Sequence, residues 1–309
     1  MKKKLSVYFQ GGLGNQLFQM SLAYLLAKKE KLKISFYTEG YSNSIRKFEL
    51  NKFPQIKKLK IETKNTFNLK YKFVRFIKRK IIYLIQIFNL EKSLFNTFNG
   101  QNKILALDQK IFEISPYVYN KEIFNQKFKS NITLVGYYQS EKYFSKNKKE
   151  ILGLFSFPTS KNKKFIRFFN KIKNCNSVAV HVRRGDYISK ELKQYFDILS
   201  KDYYARCFKY INKKTFNPKF FIFSDDIDYV KQMNMFKKNC IFVDTNSPLI
   251  DLNLMTYCKH FIIANSSFSW WGAWLCKNKK KIVCAPNKWV NDNFPTADII
   301  PNEWIKINN

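Results

Sequence analysis

The sequence predicts an α/β protein with two doubly wound domains that face a cleft. Its 309 residues exceed one typical domain and leave each of two domains enough chain to bury a core. In the second half, short runs of β-branched and aromatic residues alternate with stretches of helical period, which is the pattern of parallel strands joined by helices. Polar clusters follow four of these runs, as expected where parallel strands end at a binding site.

The first half begins with the apolar run LSVYF, the turn QGGLGNQ, a helical pattern through about Lys29 and a second apolar run, ISFY. This order predicts a βαβ unit. The stretch ITLVGYYQSEKYF at 132–144 predicts a further strand that closes this half. Residues 71–90 place apolar side chains at helical spacing among lysines and arginines. We expect a basic amphipathic helix there, packed on its own domain or lying on a membrane surface.

The second half contains five predicted strands, at 177–182, 220–224, 240–244, 260–265 and 281–286. A helix is predicted from about Asp202 to Ile211, and another begins with Ser247 as N-cap and Pro248 at the first helical position. The polar stretch 158–176 contains the predicted crossover. We therefore place the domains at 1–165 and 166–309, with a last helix that could pack back on the first domain.

The formal net charge of +34 attracts the chain toward anionic partners, with nucleic acid and a phospholipid leaflet as candidates. The lysines stand in scattered doublets and triplets, which argues against nucleic acid as the specific ligand. No apolar run approaches the roughly 20 residues of a membrane span, and the first one is too short for a signal peptide. Six cysteines without a C-x-x-C pair predict reduced thiols in a cytoplasmic protein, and two histidines argue against a zinc site.

Four polar clusters follow predicted strands of the second half: RRGD, SDD, DTNS and NSSFSWWG. The carboxyl ends of parallel strands meet at one edge of the sheet, so these clusters predict a single ligand site. Arg183 and Arg184 suit a phosphate group, because a guanidinium binds phosphate oxygens bidentately. Asn265, Ser266 and Ser267 stand where a strand meets a helix start, which also favours a phosphate. The serines would equally serve as N-caps.

The segment SDDID supports two alternative interpretations. Asp226 and Asp228 match a D-x-D metal motif, which is short and weakly specific. Alternatively, the carboxylate of Asp225 or Asp226 accepts hydrogen bonds from the two donors on the Watson–Crick edge of guanine, which would select a guanine nucleotide without a metal. Ser224 precedes both aspartates in this segment.

The segment GGLGNQL is a glycine-rich turn between a strand and a helix, with Gly12 and Gly14 as two of its glycines. Its spacing differs from the G-x-G-x-x-G of a dinucleotide site, and no ribose-binding acid follows. Glycines there let the backbone approach a ligand closely. Asn15 and Gln16 offer side-chain amides toward the cleft.

Five motifs, in order, resemble those of bacterial α-1,2-fucosyltransferases, glycosyltransferase family 11: GGLGNQLFQ, GYYQSEKYF, HVRRGDY, SDD and NSSFSWWGAWL. The resemblance spans nearly the whole chain. It implies a GT-B-like fold, GDP-fucose as donor, inversion at the anomeric carbon and no metal or other cofactor. It also implies that the second domain binds the donor and the first holds the acceptor.

The resemblance also assigns residue roles. In related fucosyltransferases the arginine of the H-x-R-R-x-D motif binds the donor diphosphate, which implies this role for Arg183 with help from Arg184. His181 and the segment from Ser224 to Asp226 would approach the guanine nucleoside. The G-x-x-G-N-Q loop of protein O-fucosyltransferases faces the donor, which would bring Asn15 near the reacting sugar. Asp186 is a candidate general base, or it pairs with an arginine and fixes the loop.

The expected acceptor is the 2-hydroxyl of a terminal galactoside on a cell-surface glycan such as O-antigen or capsule, possibly linked to a lipid diphosphate. The enzyme would then be cytoplasmic, and its positive charge could hold it on the inner face of the plasma membrane. Two alternatives stay open. One is a metal-dependent transferase that uses Asp226 and Asp228 with another sugar nucleotide, and the other is a non-catalytic basic protein that binds surfaces.

Overall fold

The computed structural model describes most of the chain, in the following ranges: 3–41, 46–59, 61–64, 102–106, 109–114, 117–125, 128, 131–188, 196–233, 235–236, 239–291 and 295–309. The amphipathic pattern predicted at 71–90 lies outside these residues. The chain divides into two compact units, one of Met1–Ser156 with Ala297–Ile299 and one of Phe157–Thr296 with Ile300–Asn309. The border at 156/157 precedes the predicted border by nine residues.

The first unit has a six-stranded sheet in the order β3-β2-β1-β6-β4-β5. Its strands are β1 Lys4–Tyr8, β2 Lys33–Tyr37, β3 Glu62–Lys64, β4 Asn102–Ala106, β5 Gln109–Ile114 and β6 Ile132–Val135. Its helices are α1 Leu13–Glu30, α2 Pro54–Lys58, α3 Glu122–Asn125 and α4 Lys148–Leu154, with 3₁₀ turns at Glu39–Tyr41, Leu50–Lys52, Glu141–Tyr143 and Ser145–Asn147.

Four strands of this sheet, β3, β2, β1 and β6, run parallel in the order of a mononucleotide-binding half. β4 is antiparallel to both β6 and β5, so this sheet is mixed. The strand order reverses between β1 and β6, and the glycine-rich turn leaves the sheet at that switch point. Apolar residues on α1, among them Leu17, Phe18 and Leu22, are fully buried.

The second unit has a six-stranded sheet in the order β12-β11-β10-β7-β8-β9. Its strands are β7 Asn176–Val182, β8 Pro218–Ser224, β9 Cys240–Phe242, β10 His260–Ile262, β11 Val283–Pro286 and β12 Ile305–Ile307. Its helices are α5 Lys163–Lys173, α6 Lys201–Lys214, α7 Ile227–Gln232, α8 Pro248–Tyr257 and α9 Ser267–Leu275, with a 3₁₀ turn at Gly185–Ile188.

Every strand pair in this second sheet is parallel, and the order is that of the dinucleotide-binding fold. The strand order reverses between β7 and β10, which defines a second switch point. The prediction of two Rossmann-type α/β units, the architecture of GT-B-like enzymes, is therefore confirmed. All five predicted strands of this half are present, as are the helices predicted near Asp202 and after Ser247.

The predicted last helix is wrong, because the chain ends in β12, which pairs with β11. The segment Ile305–Ile307, with a β-branched residue at each end, follows Pro301 and adds one strand to the second sheet. Just before β12 the chain does return briefly to the first unit, where Asp298 accepts a hydrogen bond from the Tyr119 N–H at 2.7 Å.

The three tryptophans of α9, Trp270, Trp271 and Trp274, are almost completely buried. They belong to the core, where α9 packs against α8. Within the described ranges, no helix is both long and apolar enough to cross a bilayer.

Candidate active site at the second switch point

The loops that follow β7 and β10 are cross-linked by side chains at the switch point. The Tyr187 hydroxyl, in the loop after β7, donates to the carbonyl of Asn265, in the loop after β10, at 2.8 Å. His181, the next-to-last residue of β7, places Nδ1 3.0 Å from Oγ of Ser269 on α9. These contacts bring the two predicted motifs, HVRRGDY and NSSFSWWG, together at one end of the sheet.

Arg183 forms an ion pair with Asp225, which follows the neighbouring strand β8. Its Nη1 lies 2.5 Å from Oδ2 of Asp225, and the two side chains are only 13% and 19% exposed. The second oxygen of Asp225 accepts the backbone N–H of Arg184 at 3.0 Å. Asp225 therefore holds both the guanidinium and the backbone of the loop.

Gly185 is required by the close approach of this carboxylate. A Cβ atom at position 185 would lie 2.2 Å from Oδ2 of Asp225, far inside van der Waals contact. The glycine of RRGD therefore allows the loop to pack directly on Asp225.

Arg184 is paired in the same way with Asp226. Its Nε donates to Oδ2 of Asp226 at 3.0 Å, and its guanidinium lies 3.4 Å from the ring centroid of Tyr229. Asp226 is also the N-cap of α7, since Oδ1 accepts the Tyr229 N–H at 3.3 Å. Ser224 Oγ in turn accepts the Asp226 N–H at 3.0 Å.

These pairs correct one premise of the sequence argument. Arg183 and Arg184 were predicted to bind a phosphate, and in the structure Asp225 and Asp226 already neutralise both guanidiniums. The same pairs engage the two carboxylates that were predicted to select guanine. The arrangement instead holds two guanidinium groups in fixed positions at the switch point.

The D-x-D motif is also used structurally. Asp226 caps α7 and pairs with Arg184, while Asp228 is 84% exposed at its side chain and lies 3.0 Å from Nζ of Lys231. Among the residues that the structure describes, no group of three or more histidine, cysteine, aspartate or glutamate side chains is suitably placed to hold a metal ion.

His181 is a buried neutral imidazole. Burial lowers the pKa of its ring well below the ordinary value, the nearby Asp225 carboxylate opposes this effect, and Arg183 adds to it. The hydroxyl of Ser269 lies 3.3 Å from the Ser266 carbonyl and donates to it. Oγ of Ser269 then accepts a hydrogen bond from Nδ1–H of His181, which leaves Nε2 as a hydrogen-bond acceptor.

Asn265, Ser266 and Ser267 build the start of α9. Asn265 is only 2% exposed, and its Nδ2 donates to the carbonyls of Asp197 and Trp289. Ser266 is 6% exposed and acts as N-cap, because its Oγ accepts the Phe268 N–H at 3.4 Å. Ser267 is half-buried at the first helical position. Asn265 and Ser266 thus shape the loop that precedes α9.

The glycine-rich turn forms the corresponding switch point of the first unit. Gly11 adopts φ 77°, and a Cβ atom there would lie 2.3 Å from Nδ2 of Asn15. Gly12 is the N-cap of α1, and Gly14 is buried in its first turn. Half-buried Asn15 accepts a hydrogen bond from Nε2 of Gln139 at 2.7 Å, so the two amides are held side by side.

Gln16 does not present its amide as predicted. It is fully buried, its Nε2 donates to the carbonyl of Lys47 at 2.8 Å, and its Oε1 accepts the Glu49 N–H at 2.9 Å. The side chain of Gln16 therefore fixes the neighbouring loop and leaves Asn15 as the amide of this turn that is partly exposed.

Asp251 is a further carboxylate in a loop–helix segment after β9 that the sequence analysis did not single out. It lies in the first turn of α8, where Thr245 Oγ1 donates to its Oδ1 at 2.6 Å. Burial raises the pKa of the Asp251 carboxyl to about 7, with a smaller contribution from the Asp244 charge. The cluster DTNS and the helix start at Ser247 already placed Asp251 at the carboxyl edge, so the signal was present in the sequence. Asp186 lies in the turn Gly185–Ile188, and its side chain is outside the described part of the structure.

Comparison with known proteins identifies the family. Residues 4–308 match the model of glycosyl transferase family 11. The chain belongs to this family and is a glycosyltransferase. An alpha-1,2-colitosyltransferase of Escherichia coli is 33% identical over 307 residues, which cover 96% of both chains. The O-antigen biosynthesis glycosyltransferase WbnK of Escherichia coli is 28% identical over 96% of this chain and 98% of its own.

More distant relatives include a galactoside 2-alpha-L-fucosyltransferase, SEC1 of Bos taurus, 27% identical over 47% of this chain and 42% of that one. Among solved structures, NodZ alpha-1,6-fucosyltransferase soaked with GDP-fucose aligns with a TM-score of 0.45 and 16% identity, over 89% of this chain and 93% of its own. POFUT1 in complex with GDP-fucose aligns with a TM-score of 0.43 and 11% identity, over 99% and 98% of the two chains.

Proposed function

We propose that this family 11 enzyme transfers L-fucose from GDP-fucose to the 2-hydroxyl of a terminal galactoside, with inversion and without a metal ion. The observation that carries the proposal is the family match over residues 4–308, joined to the charged cluster at the second switch point. The names of the relatives, a colitosyltransferase and galactoside 2-fucosyltransferases, support a 6-deoxy sugar donor and a 2-linkage.

The diphosphate of the donor binds between the arginine loop and the start of α9. Arg183 and Arg184 supply guanidinium donors, and α9 supplies backbone N–H groups and the positive end of its dipole. The negative charge on the diphosphate grows as the glycosidic bond breaks. A guanidinium that Asp225 already holds in place stabilises that charge without reorganising, which favours the transition state over the ground state.

In this proposal Asp251 reads the guanine base, and neutral His181 contacts the nucleoside. Guanine presents two adjacent donors, N1–H and the 2-amino group, which an ionised carboxylate accepts together. Both oxygens of Asp225 are engaged and Asp226 holds Arg184 and α7, whereas Oδ1 of Asp251 accepts from the Thr245 hydroxyl, which supports Asp251 for this role. Nε2 of His181 accepts a further donor of the nucleoside.

In the reaction, the acceptor hydroxyl attacks the anomeric carbon from the face opposite GDP. The bond from that carbon to the β-phosphate oxygen breaks as the new bond forms, and the hydroxyl proton passes to a general base. We assign Asp186 as this base and place the Asn15 amide near the reacting sugar. The first unit holds the acceptor.

Colitose is a second candidate for the transferred sugar. It lacks the 3-hydroxyl of fucose, and the relative that is 33% identical carries it in its name. The two donors share GDP and the 6-deoxy group, so the proposed nucleotide contacts apply to both. Discrimination would depend on whether a buried polar group is left unpaired when the 3-hydroxyl is missing.

The acceptor belongs to a cell-surface glycan such as O-antigen or capsule, assembled on a lipid diphosphate at the inner face of the plasma membrane. The name of WbnK supports the O-antigen setting. The enzyme is accordingly cytoplasmic and peripheral on that membrane, and nucleic acid is not its specific ligand.

The test is a donor and acceptor screen with product analysis. GDP-fucose, GDP-colitose and a UDP-sugar are each offered with terminal galactosides, with and without EDTA, and the product linkage is determined by NMR. We expect an α-1,2-linked fucoside from GDP-fucose, formed equally with EDTA. Transfer from GDP-colitose alone would select the second candidate. Transfer from the UDP-sugar that EDTA abolishes would contradict the proposal and favour the D-x-D alternative.

A further inference from the structure

The amino edge of the second sheet carries a concentration of lysines that the proposed reaction does not use. All strands of this sheet are parallel, so the segments that enter them lie at the same edge, opposite the arginine cluster. Exposed lysines stand in the segments before β7, β8 and β11: Lys171, Lys173, Lys213, Lys214, Lys277, Lys279 and Lys280.

The chain supplies few carboxylates to balance them. Residues 151–185, 203–224 and 252–291 contain no aspartate or glutamate. Among the described residues, Glu303, just before β12, supplies a carboxylate at this edge. The lysines in the last turns of α5 and α6 also complement the helix dipoles, but each dipole is equivalent to only about half a charge. Most of the positive charge is therefore left for an external partner.

Two partly buried lysines on this edge are held by neutral partners. Nζ of Lys219 donates to Oδ1 of Asn239 at 2.8 Å, and Nζ of Lys259 donates to Oδ1 of Asn176 at 3.0 Å. Amide oxygens position an ammonium group without cancelling its charge. With Lys173, both lysines line a shallow groove of about 580 Å³.

Phe216 projects from the rim of the same groove. It is 87% exposed, the highest exposed fraction among the exposed large hydrophobic residues described. The Phe216 carbonyl accepts a hydrogen bond from Nδ2 of Asn176 at 2.7 Å, so the backbone that carries the ring is fixed. An exposed aromatic ring surrounded by lysines combines an apolar contact with an electrostatic one.

We propose that this amino edge, defined by Lys173, Lys213, Phe216, Lys219, Lys259 and Lys280, is the surface by which the protein binds an anionic lipid bilayer. Lysines attract anionic headgroups over a Debye length, and Phe216 enters the interface between them. Nucleic acid fits this surface less well, since nucleic-acid-binding proteins combine arginines with several stacking aromatic side chains. The surface lies opposite the donor site, so both ligands can bind at once.

Bilayer binding itself does not depend on the proposed donor. The benefit, that the enzyme is kept beside a lipid-linked acceptor, rests on the proposed function. Measuring vesicle binding and GDP binding on the same protein distinguishes the bilayer proposal from the proposed function.

The test is flotation of the full chain with phosphatidylcholine vesicles, with and without phosphatidylglycerol. Each lysine near an anionic leaflet contributes a factor of about five to partitioning. The triple variant K173Q/K213Q/K280Q should therefore bind phosphatidylglycerol vesicles about a hundredfold more weakly. Phe216→Ser should reduce the binding that persists at high salt.

The control is K121Q/K146Q/K149Q, which removes the same charge from exposed positions of the first unit. It should retain nearly full vesicle binding, and GDP should raise the Tm of all variants equally. Equal losses in the two triple variants would overturn the proposal in favour of a diffuse charge effect. Equal binding to phosphatidylcholine alone, or displacement from phosphatidylglycerol vesicles by single-stranded RNA at physiological salt, would also overturn it.

Discussion

The two sheets of this protein share a strand order around their switch points but place different chemistry there. In the first unit the turn after β1 offers glycine backbone and the paired amides of Asn15 and Gln139. In the second unit the loops after β7 and β8 offer two guanidiniums, each held by an aspartate. Glycines and amides suit neutral hydroxyl groups, whereas fixed guanidiniums suit a diphosphate. The difference supports a division in which one unit binds acceptor and the other binds the nucleotide.

The largest expected effect is at Arg183. Arg183→Lys keeps the charge but loses the fork that reaches Asp225 and a phosphate together. We expect kcat to fall by about 10² to 10³, as for the loss of other preorganised donors. Arg206→Lys is the matched control, because Arg206 is exposed and bonds only to the Asn308 carbonyl in the described structure. Steady-state kinetics with GDP-fucose measures both; an unchanged kcat in Arg183→Lys would contradict the role.

Asp251→Asn should exchange the nucleotide preference. An asparagine amide accepts the N1–H of a purine but repels the guanine 2-amino group, while it matches the 2-carbonyl of xanthine. GDP affinity should fall about 10- to 100-fold, and binding of xanthosine diphosphate should improve. Calorimetric titration of both nucleotides checks this result. A variant that loses affinity for both equally would indicate that Asp251 only supports the fold.

The pH dependence should come from Asp251 and not from His181. The free protein holds Asp251 protonated below a pKa of about 7, and GDP needs the ionised form, so affinity should rise with pH. Between pH 6 and pH 8 the Kd for GDP should fall about tenfold. His181 stays neutral over this range, because burial depresses its pKa. In Asp251→Asn the dependence should disappear; its persistence would assign the titration to another group.

The same group has the opposite effect on folding. Its carboxyl binds a proton more tightly in the folded state than at its ordinary pKa of 3.8, so the stability it contributes is fully present below about pH 3.8 and is lost as the pH rises from there through about 7. Asp251→Asn should therefore raise the Tm of the free protein by about 2 to 4 °C at pH 8 and by little at pH 4. Thermal unfolding without nucleotide measures both, and an equal change at the two pH values would contradict the shifted pKa.

The smallest effect is expected in the first unit. Asn15→Ala removes one amide from the pair with Gln139, and the loss of about one hydrogen bond should lower kcat/KM for the acceptor by about three- to tenfold. GDP affinity should not change. Gln139→Ala should have a similar but smaller effect, because it only positions Asn15. A loss of GDP affinity in Asn15→Ala would contradict the division between the units.

The fold and the meeting of the polar motifs at one sheet edge were predictable from the sequence, whereas the side-chain pairing was not. Period and polar clusters predicted five of the six strands of the second sheet, all but β12, and parallel strands bring RRGD, SDD and NSS to one edge. The roles within that edge depend on distances that no spacing encodes. Arg183 meets Asp225 because β7 and β8 are neighbours, and Asn265 is buried because its amide holds two loop carbonyls. Gln16 differs from Asn15 for the same reason, since successive helical positions face different surroundings.

The measurement that tests the central claim most directly is calorimetric titration of GDP, UDP and ADP into the wild-type protein and Arg183→Ala at pH 8. We expect the wild type to bind GDP, with UDP and ADP at least tenfold weaker. Arg183→Ala should bind GDP about 10- to 100-fold more weakly. Equal affinity for the three nucleotides, or unchanged GDP affinity in Arg183→Ala, would contradict a guanine nucleotide site at the second switch point.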